Sequence, residues 1–160
     1  MRLTAMKKTQ RTHRFILFMA PLALAVLALF ASCAPVFAAP ANSWTLVGSH
    51  ITSSEAVINI TDPLISNSQI NIDVAFTEPT LTINGGGNAI SFGALGAFKI
   101  DNPAVTVTFI DVVFIGDAPA AGASAVRIDD AAKVSFNRCA FLDNKATDGG
   151  AIYNAGSSTA

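Results

Sequence analysis

Val107-Thr108-Phe109-Ile110-Asp111-Val112-Val113-Phe114 returns 27 residues later as Val134-Ser135-Phe136-Asn137-Arg138-Cys139-Ala140-Phe141. Each copy opens with apolar residues two apart, the period of a strand whose successive side chains point to opposite faces. The period then breaks. Phe109 and Val112 are three apart and Phe114 follows two later; Phe136, Cys139 and Phe141 repeat the step. A three-residue step keeps the apolar set on one side only if the chain turns a corner there. Such corners often hold one residue at positive φ, which Asn and Asp tolerate best, so Asp111 and Asn137 are the expected corner residues. A flat hairpin sandwich does not call for a matched corner in successive repeats. A coil wound around one core does.

The repetition extends on both sides. Gly96-Ala97-Phe98-Lys99-Ile100-Asp101 matches Ser124-Ala125-Val126-Arg127-Ile128-Asp129 at an offset of 28, and Ser124-Ala125-Val126 returns as Gly150-Ala151-Ile152 at 26. Connecting turns of variable length around fixed strands produce this drift. A weaker earlier copy runs from Leu81 and Ile83. Shorter β-type runs, such as Ala56-Val57-Ile58-Asn59-Ile60 and Gln69-Ile70-Asn71-Ile72-Asp73-Val74, are broken by Gly, Asn, Asp and Pro. No stretch after Pro40 shows helical periodicity. The reading is an all-β chain, a right-handed parallel β-helix (a solenoid) of three to four coils, incomplete at its C-terminus. Residues 42 to 75 are expected to form a less regular entry. The expected inward set is Ile83, Phe98, Ile100, Val107, Phe109, Val112 and Phe114, continued by Val126, Val134, Phe136, Cys139, Phe141 and Ile152. Stacked coils would then carry continuous internal ladders.

The front of the chain differs in kind. Basic residues (Arg2, Lys7, Lys8, Arg11, Arg14) precede the apolar run Phe15 to Phe30, and a small-residue stretch with proline follows to Pro40. This is the order of a secretory signal. Val36-Phe37-Ala38 places cleavage after Ala38, giving a signal peptide at 1–38 and an N-terminal part of the β-helix domain at 39–160. Met6 opens an equally good start. The apolar run of 16 residues falls short of the roughly 20 a spanning helix needs, so no membrane span is expected in the mature chain. Phe30-Ala31-Ser32-Cys33 offers lipoprotein processing at Cys33 as an alternative. Ordinary cleavage removes Cys33 and leaves Cys139 alone, so packing rather than a disulfide must hold the fold. Cys139 reads as a small buried hydrophobe.

Charge excludes other classes. Charged residues are 13% of the chain, against roughly 25% in ordinary soluble domains, and hydrophobic residues are 51%. That is too apolar for an extended disordered chain. Beyond the leader, five bases face all 11 acids, the wrong balance for neutralising phosphates, so no nucleic acid is expected as a partner.

Phe141-Leu142-Asp143-Asn144 followed by Gly149-Gly150-Ala151-Ile152 resembles the F-x-x-N and G-G-A-I signature of the chlamydial-type polymorphic outer-membrane protein repeat. More broadly, Val107 to Asn154 resembles coils of pectin-lyase-like right-handed parallel β-helices. The preceding coil departs from the signature, with Asp117 in Phe114-Ile115-Gly116-Asp117 and Ser124-Ala125-Val126 for the second half. The resemblance implies a secreted or cell-surface (outer-membrane) protein, adhesin-like or an autotransporter passenger, whose partners are host or environmental glycans or surface proteins. In physical terms Phe141 fills the core, Asn144 satisfies turn backbone, and Gly149 and Gly150 permit a tight bend before Ala151 and the inward Ile152.

Groups for chemistry are scarce. His50, the one histidine after the leader, reads as a surface residue of the first coil. Asp129-Asp130 is the only adjacent carboxylate pair, and Asp130 falls in a turn. Asp101 and Asp129 occupy equivalent places in successive coils and would stack as an exposed acidic edge, where a weak calcium site is conceivable. Asn84-Gly85-Gly86-Gly87-Asn88 opens no helix and reads as a loop, not a phosphate cradle. Asn59-Ile60-Thr61 fits a glycosylation sequon. No catalytic, metal or cofactor-binding residue is assigned. The expected function is a non-enzymatic exported scaffold. The alternative is the N-terminal part of a polysaccharide lyase or glycoside hydrolase whose catalytic residues lie in later coils. Ala155 to Ala160 brings no capping helix, so the chain is expected to be the N-terminal part of a longer product, self-associating end to end if cut there.

Overall fold

A computed structural model describes residues 38–116 and 123–155. Contacts divide the chain into two units, residues 1–35 and 36–160, and the described residues belong to the second. The leader, with its Cys33 alternative, lies outside them, as do Asp117 and residues 156–160.

Among the described residues thirteen strands and one helix follow in order. β1 (Ala39–Ala41) and α1 (Trp44–Thr52) open the chain. Four coils of three strands each come next: β2 (Val57–Ile60), β3 (Leu64–Ser66), β4 (Ile70–Ile72); then β5 (Thr80–Asn84), β6 (Ala89–Phe92), β7 (Phe98–Ile100). The third coil is β8 (Thr106–Ile110), β9 (Val113–Gly116), β10 (Val126–Ile128), and the fourth is β11 (Lys133–Asn137), β12 (Ala140–Leu142), β13 (Ile152–Asn154). Equivalent strands stack into three sheets: β1-β2-β5-β8-β11 (sheet I), β3-β6-β9-β12 (sheet II) and β4-β7-β10-β13 (sheet III). Val134 pairs with Val107 and Phe136 with Phe109, in parallel. The chain is a parallel β-solenoid of about four turns, as the matched corners require.

Side chains of one face stack through every rung. Ile58, Ile83, Phe109 and Phe136 form one ladder in sheet I. Leu64, Ile90, Phe114 and Phe141 form its counterpart in sheet II. Phe109 and Phe136 lie 5.4 Å apart and 9° from parallel, Phe114 and Phe141 5.0 Å apart and 11° from parallel. Across the interior Phe109 meets Phe114 edge-on at 5.5 Å, and Phe98 of sheet III lies 5.2 Å from Phe109. At roughly 1.5–3 kcal/mol per fully buried large apolar side chain, these ladders are what holds one coil to the next.

Two expectations need correction at the N-terminal end. Trp44 to Thr52 is a helix, not an irregular entry, and β2-β3-β4 is a coil as regular as those after it. Ser43 caps the helix by accepting from the Leu46 amide at 3.3 Å. Trp44, Val47 and Ile51, spaced three and four apart, turn one buried face to the core, and a Cβ at Gly48 would make ordinary contact with Ile70 at 3.8 Å. Trp44 donates its indole N–H to Ser68 O at 2.7 Å and stands 5.1 Å from Phe98. The helix was hidden because Gly48 and the Thr and Ser residues around it are weak helix formers; packing, not propensity, makes it. Among the described residues no helix is long and apolar enough to cross a membrane.

Other corrections follow from the corners and the last rung. Asp111 takes positive φ (52°) as expected, but its counterpart is Arg138 (53°), not Asn137. Asn137 stays in β11, in register with Ile110. Of the inward set, Val134, Phe136, Cys139 and Phe141 are only partly buried. Ile152 stacks on Val126 in register but is 36% exposed, because among the described residues no further rung covers the fourth coil.

Candidate ligand-binding surface

The signature residues build a turn. Phe141 stacks on Phe114, and Asn144 donates its side-chain amide to Phe114 O at 3.4 Å, tying one coil to the next. The Asn144 Oδ1 is buried and has no partner among the described residues. Gly149 sits at φ +55°, where a Cβ would lie 2.5 Å from Ile152 O, and a Cβ on Gly150 would lie 3.0 Å from Asn144 O. Ala151 O accepts the Val126 amide at 3.3 Å. These residues shape the coil and create no recess for chemistry.

Polar side chains converge instead on the outer face of sheet III. Register places Asn71, Lys99, Arg127 and Tyr153 in one row across the strands. Asp101 and Asp129 flank it. Lys99 Nζ lies 2.6 Å from Asp101 and 3.6 Å from Asp129, and Arg127 Nε reaches Asp129 at 2.9 Å. The Arg127 guanidinium also lies 5.3 Å from the Tyr153 ring centre, within cation–π reach. The stacked acidic edge expected at Asp101 and Asp129 is therefore neutralised, two stacked acids facing two stacked cations. No cluster of three metal-ligating side chains occurs among the described residues.

A recess lies at each end of this face. One, of about 160 Å³, is lined by Ala123, Ser124, Arg127, Thr147, Asp148 and Tyr153. Buried Ser124 forms its wall and donates to the carbonyls of Asp148 and Gly149 at 3.1 and 2.6 Å. The other, of about 140 Å³, lies between Ile51 and Thr52 of α1 and Asn71, Asp73 and Phe76. Both are smaller than the roughly 300 Å³ at which small-molecule sites begin. Each fits one group of a ligand lying on the surface.

The electrostatics oppose acid–base work at the row. Hydrogen bonding to Asp101 raises the Lys99 pKa above the ordinary lysine value, and Asp129 does the same for Arg127. A general base must release its proton near the working pH; both cations are held charged instead.

The remaining candidates have structural places. His50 lies in α1, not in the first coil, with Nε2 3.1 Å from Pro40 O. Asp130 is a turn residue at φ 52°, as expected. Asn84 to Asn88 is a corner: the Gly85 and Gly87 amides donate to Ile110 and Asp111 carbonyls of the next coil, which consumes the donors a phosphate would need. Cys139 lies at the β11–β12 corner, its thiol 3.5 Å from Phe109 O. Asn102 was missed. Buried in the turn after β7, it donates to Asp73 O and Phe76 O and accepts from the Ala104 amide. Its only signal is the Asn-Pro step, which marks a turn without showing its burial.

Compared with protein-family models, curated proteins and solved structures, the chain matches none.

Proposed function

We propose that this chain is an exported, non-enzymatic β-helix scaffold, adhesin-like or passenger-like, that meets glycans or surface proteins through its lateral faces. One observation carries the non-catalytic part. The polar row of sheet III pairs Lys99 and Arg127 with acids of their own face, and the recesses at its two ends are too small for a whole small-molecule ligand. Such a surface is preorganised to bind, and its two cations are held charged. Export is supported by the leader-like order of residues 1–38, and the surface setting by the likeness of Phe141–Asn144 and Gly149–Ile152 to the polymorphic outer-membrane protein repeat.

The second reading is the N-terminal part of a polysaccharide lyase or hydrolase. Lys99, Asp101, Arg127 and Asp129 on successive coils favour it; the raised pKa values of the two cations oppose it. Expression of the full chain with fractionation and surface protease treatment tests the first reading, which expects protease-accessible protein starting at Ala39. Retention of the chain in the cytoplasm with residues 1–38 attached would overturn export. Release of unsaturated or reducing ends from pectate by the purified chain would overturn the non-enzymatic assignment.

A further inference from the structure

The three outer faces differ in chemistry although all face solvent. Sheet III is charged. Sheet II presents Ile65, Ile115 and Leu142 in one row, broken only by Ser91. Sheet I is neither charged nor apolar. Its strands alternate buried and outward residues, and register lines the outward ones up. Thr80 and Thr106 lie side by side, with Lys133 beyond them; Thr82, Thr108 and Ser135 form the next row, with Val57 at its N-terminal edge. Asn59, Asn84, Ile110 and Asn137 stand in the third. Lys133 is the only charge among the outward residues of β2, β5, β8 and β11.

Of these hydroxyl and amide side chains, only Asn84 has a side-chain hydrogen bond within the protein among the described residues, its Oδ1 accepting from the Gly86 amide. The others keep their full capacity, one donor and two acceptor lone pairs per hydroxyl. Strand geometry spaces them about 4.8 Å apart across the sheet and roughly 6.7 Å along each strand. Threonine is stiff at χ1, so little rotamer freedom remains to be lost on binding, unlike at a surface of Lys or Gln. High β-propensity accounts for threonine in a strand; it does not account for five hydroxyl side chains meeting in two adjacent rows of one face.

What can such a face hold? A hydroxyl taken out of water needs a new partner, so the ligand must itself offer hydrogen-bonding groups repeatedly. A charged polymer gains no complementary potential here. We propose that the outer face of sheet I binds an uncharged polysaccharide, whose hydroxyls exchange hydrogen bonds with Thr80, Thr82, Thr106, Thr108 and Ser135. This deepens the scaffold reading by naming a ligand class and a face, and rests on that reading for its extracellular setting.

The test is co-sedimentation of the purified chain with insoluble cellulose, chitin and β-1,3-glucan, with pectate as the anionic comparison. The double variant Thr82→Val, Thr108→Val keeps shape and strand propensity, and circular dichroism checks its fold. At least one neutral glycan should retain the native chain independently of salt, and the variant should bind roughly tenfold more weakly, as loss of two hydrogen-bonding hydroxyls implies. Failure of all three neutral glycans, undiminished binding by the variant, or salt-sensitive binding to pectate alone would each overturn the proposal. Inhibition of ice growth without glycan binding would assign the face to a water lattice and overturn it as well. Export is read by fractionation and this face by binding in vitro, so either result can fail without the other.

Discussion

Replacing Phe109 by alanine should lower the unfolding free energy by about 3–5 kcal/mol, the range for a large aromatic removed from a packed core. Phe109 is fully buried and touches the rings of Phe98, Phe114 and Phe136 at 5.2 to 5.5 Å, so its removal opens a cavity at the centre of the aromatic column. Phe136 occupies the next rung of the same ladder but is only partly buried. Phe136→Ala should therefore lose less, about 1.5–3 kcal/mol. Against a total of roughly 5–15 kcal/mol for a domain, the first change threatens folding, so Phe109→Leu, at under about 1.5 kcal/mol, supplies a graded third point. Urea unfolding of the purified chains measures all three, followed by far-ultraviolet circular dichroism and by Trp44, the single tryptophan. Trp44 sits in the N-terminal cap and reports that end of the solenoid, whereas circular dichroism averages over all coils. A Phe136→Ala loss equal to or larger than that of Phe109→Ala would refute the stacked core.

Glycine conformation gives a sharp contrast. Gly96→Ala places a Cβ 2.3 Å from Ser124 O at φ +74°, and should destabilise clearly more than Gly87→Ala, which keeps a strained φ of +87° but meets nothing within 4 Å; matched thermal melts compare them. At the Asp111–Arg138 corner, the guanidinium holds the Asp111 carboxyl below the usual carboxylate range. Its stabilising contribution is present above the unfolded value of about 4 and is lost as pH falls through the lower folded value. Asp111→Asn should therefore make the urea midpoint less sensitive to acid below about pH 4, and an unchanged acid limb would argue against the pair. Self-association is the last prediction. α1 packs on β1, β2 and β3 and, among the described residues, no rung follows β11–β12–β13, so copies of this chain that join there should stop at dimers; sedimentation across a concentration series that finds filaments would contradict this.

Sequence alone determined the coil. The spacing of Phe109, Val112 and Phe114, repeated at Phe136, Cys139 and Phe141, encodes strand, corner and inward face locally, and stacking identical ladders leaves one topology open. The glycines of the Gly149-Gly150 bend were legible for the same reason, since a missing Cβ is a local fact. Tertiary structure decided the rest. α1 carries only a brief local signal, the Ser43 cap and the spacing of Trp44, Val47 and Ile51, because its stability comes from burying those three side chains. Arg138 took the corner because register keeps Asn137 in the strand opposite Ile110 and leaves Arg138 over Asp111, whose carboxylate its guanidinium meets at 2.6 and 2.7 Å. The charge ladder of sheet III and the hydroxyl rows of sheet I were present as letters but not as surfaces. Residues 26 to 28 apart become neighbours about 4.8 Å apart only when parallel strands stack in register, and that register sets which side chains a ligand meets together.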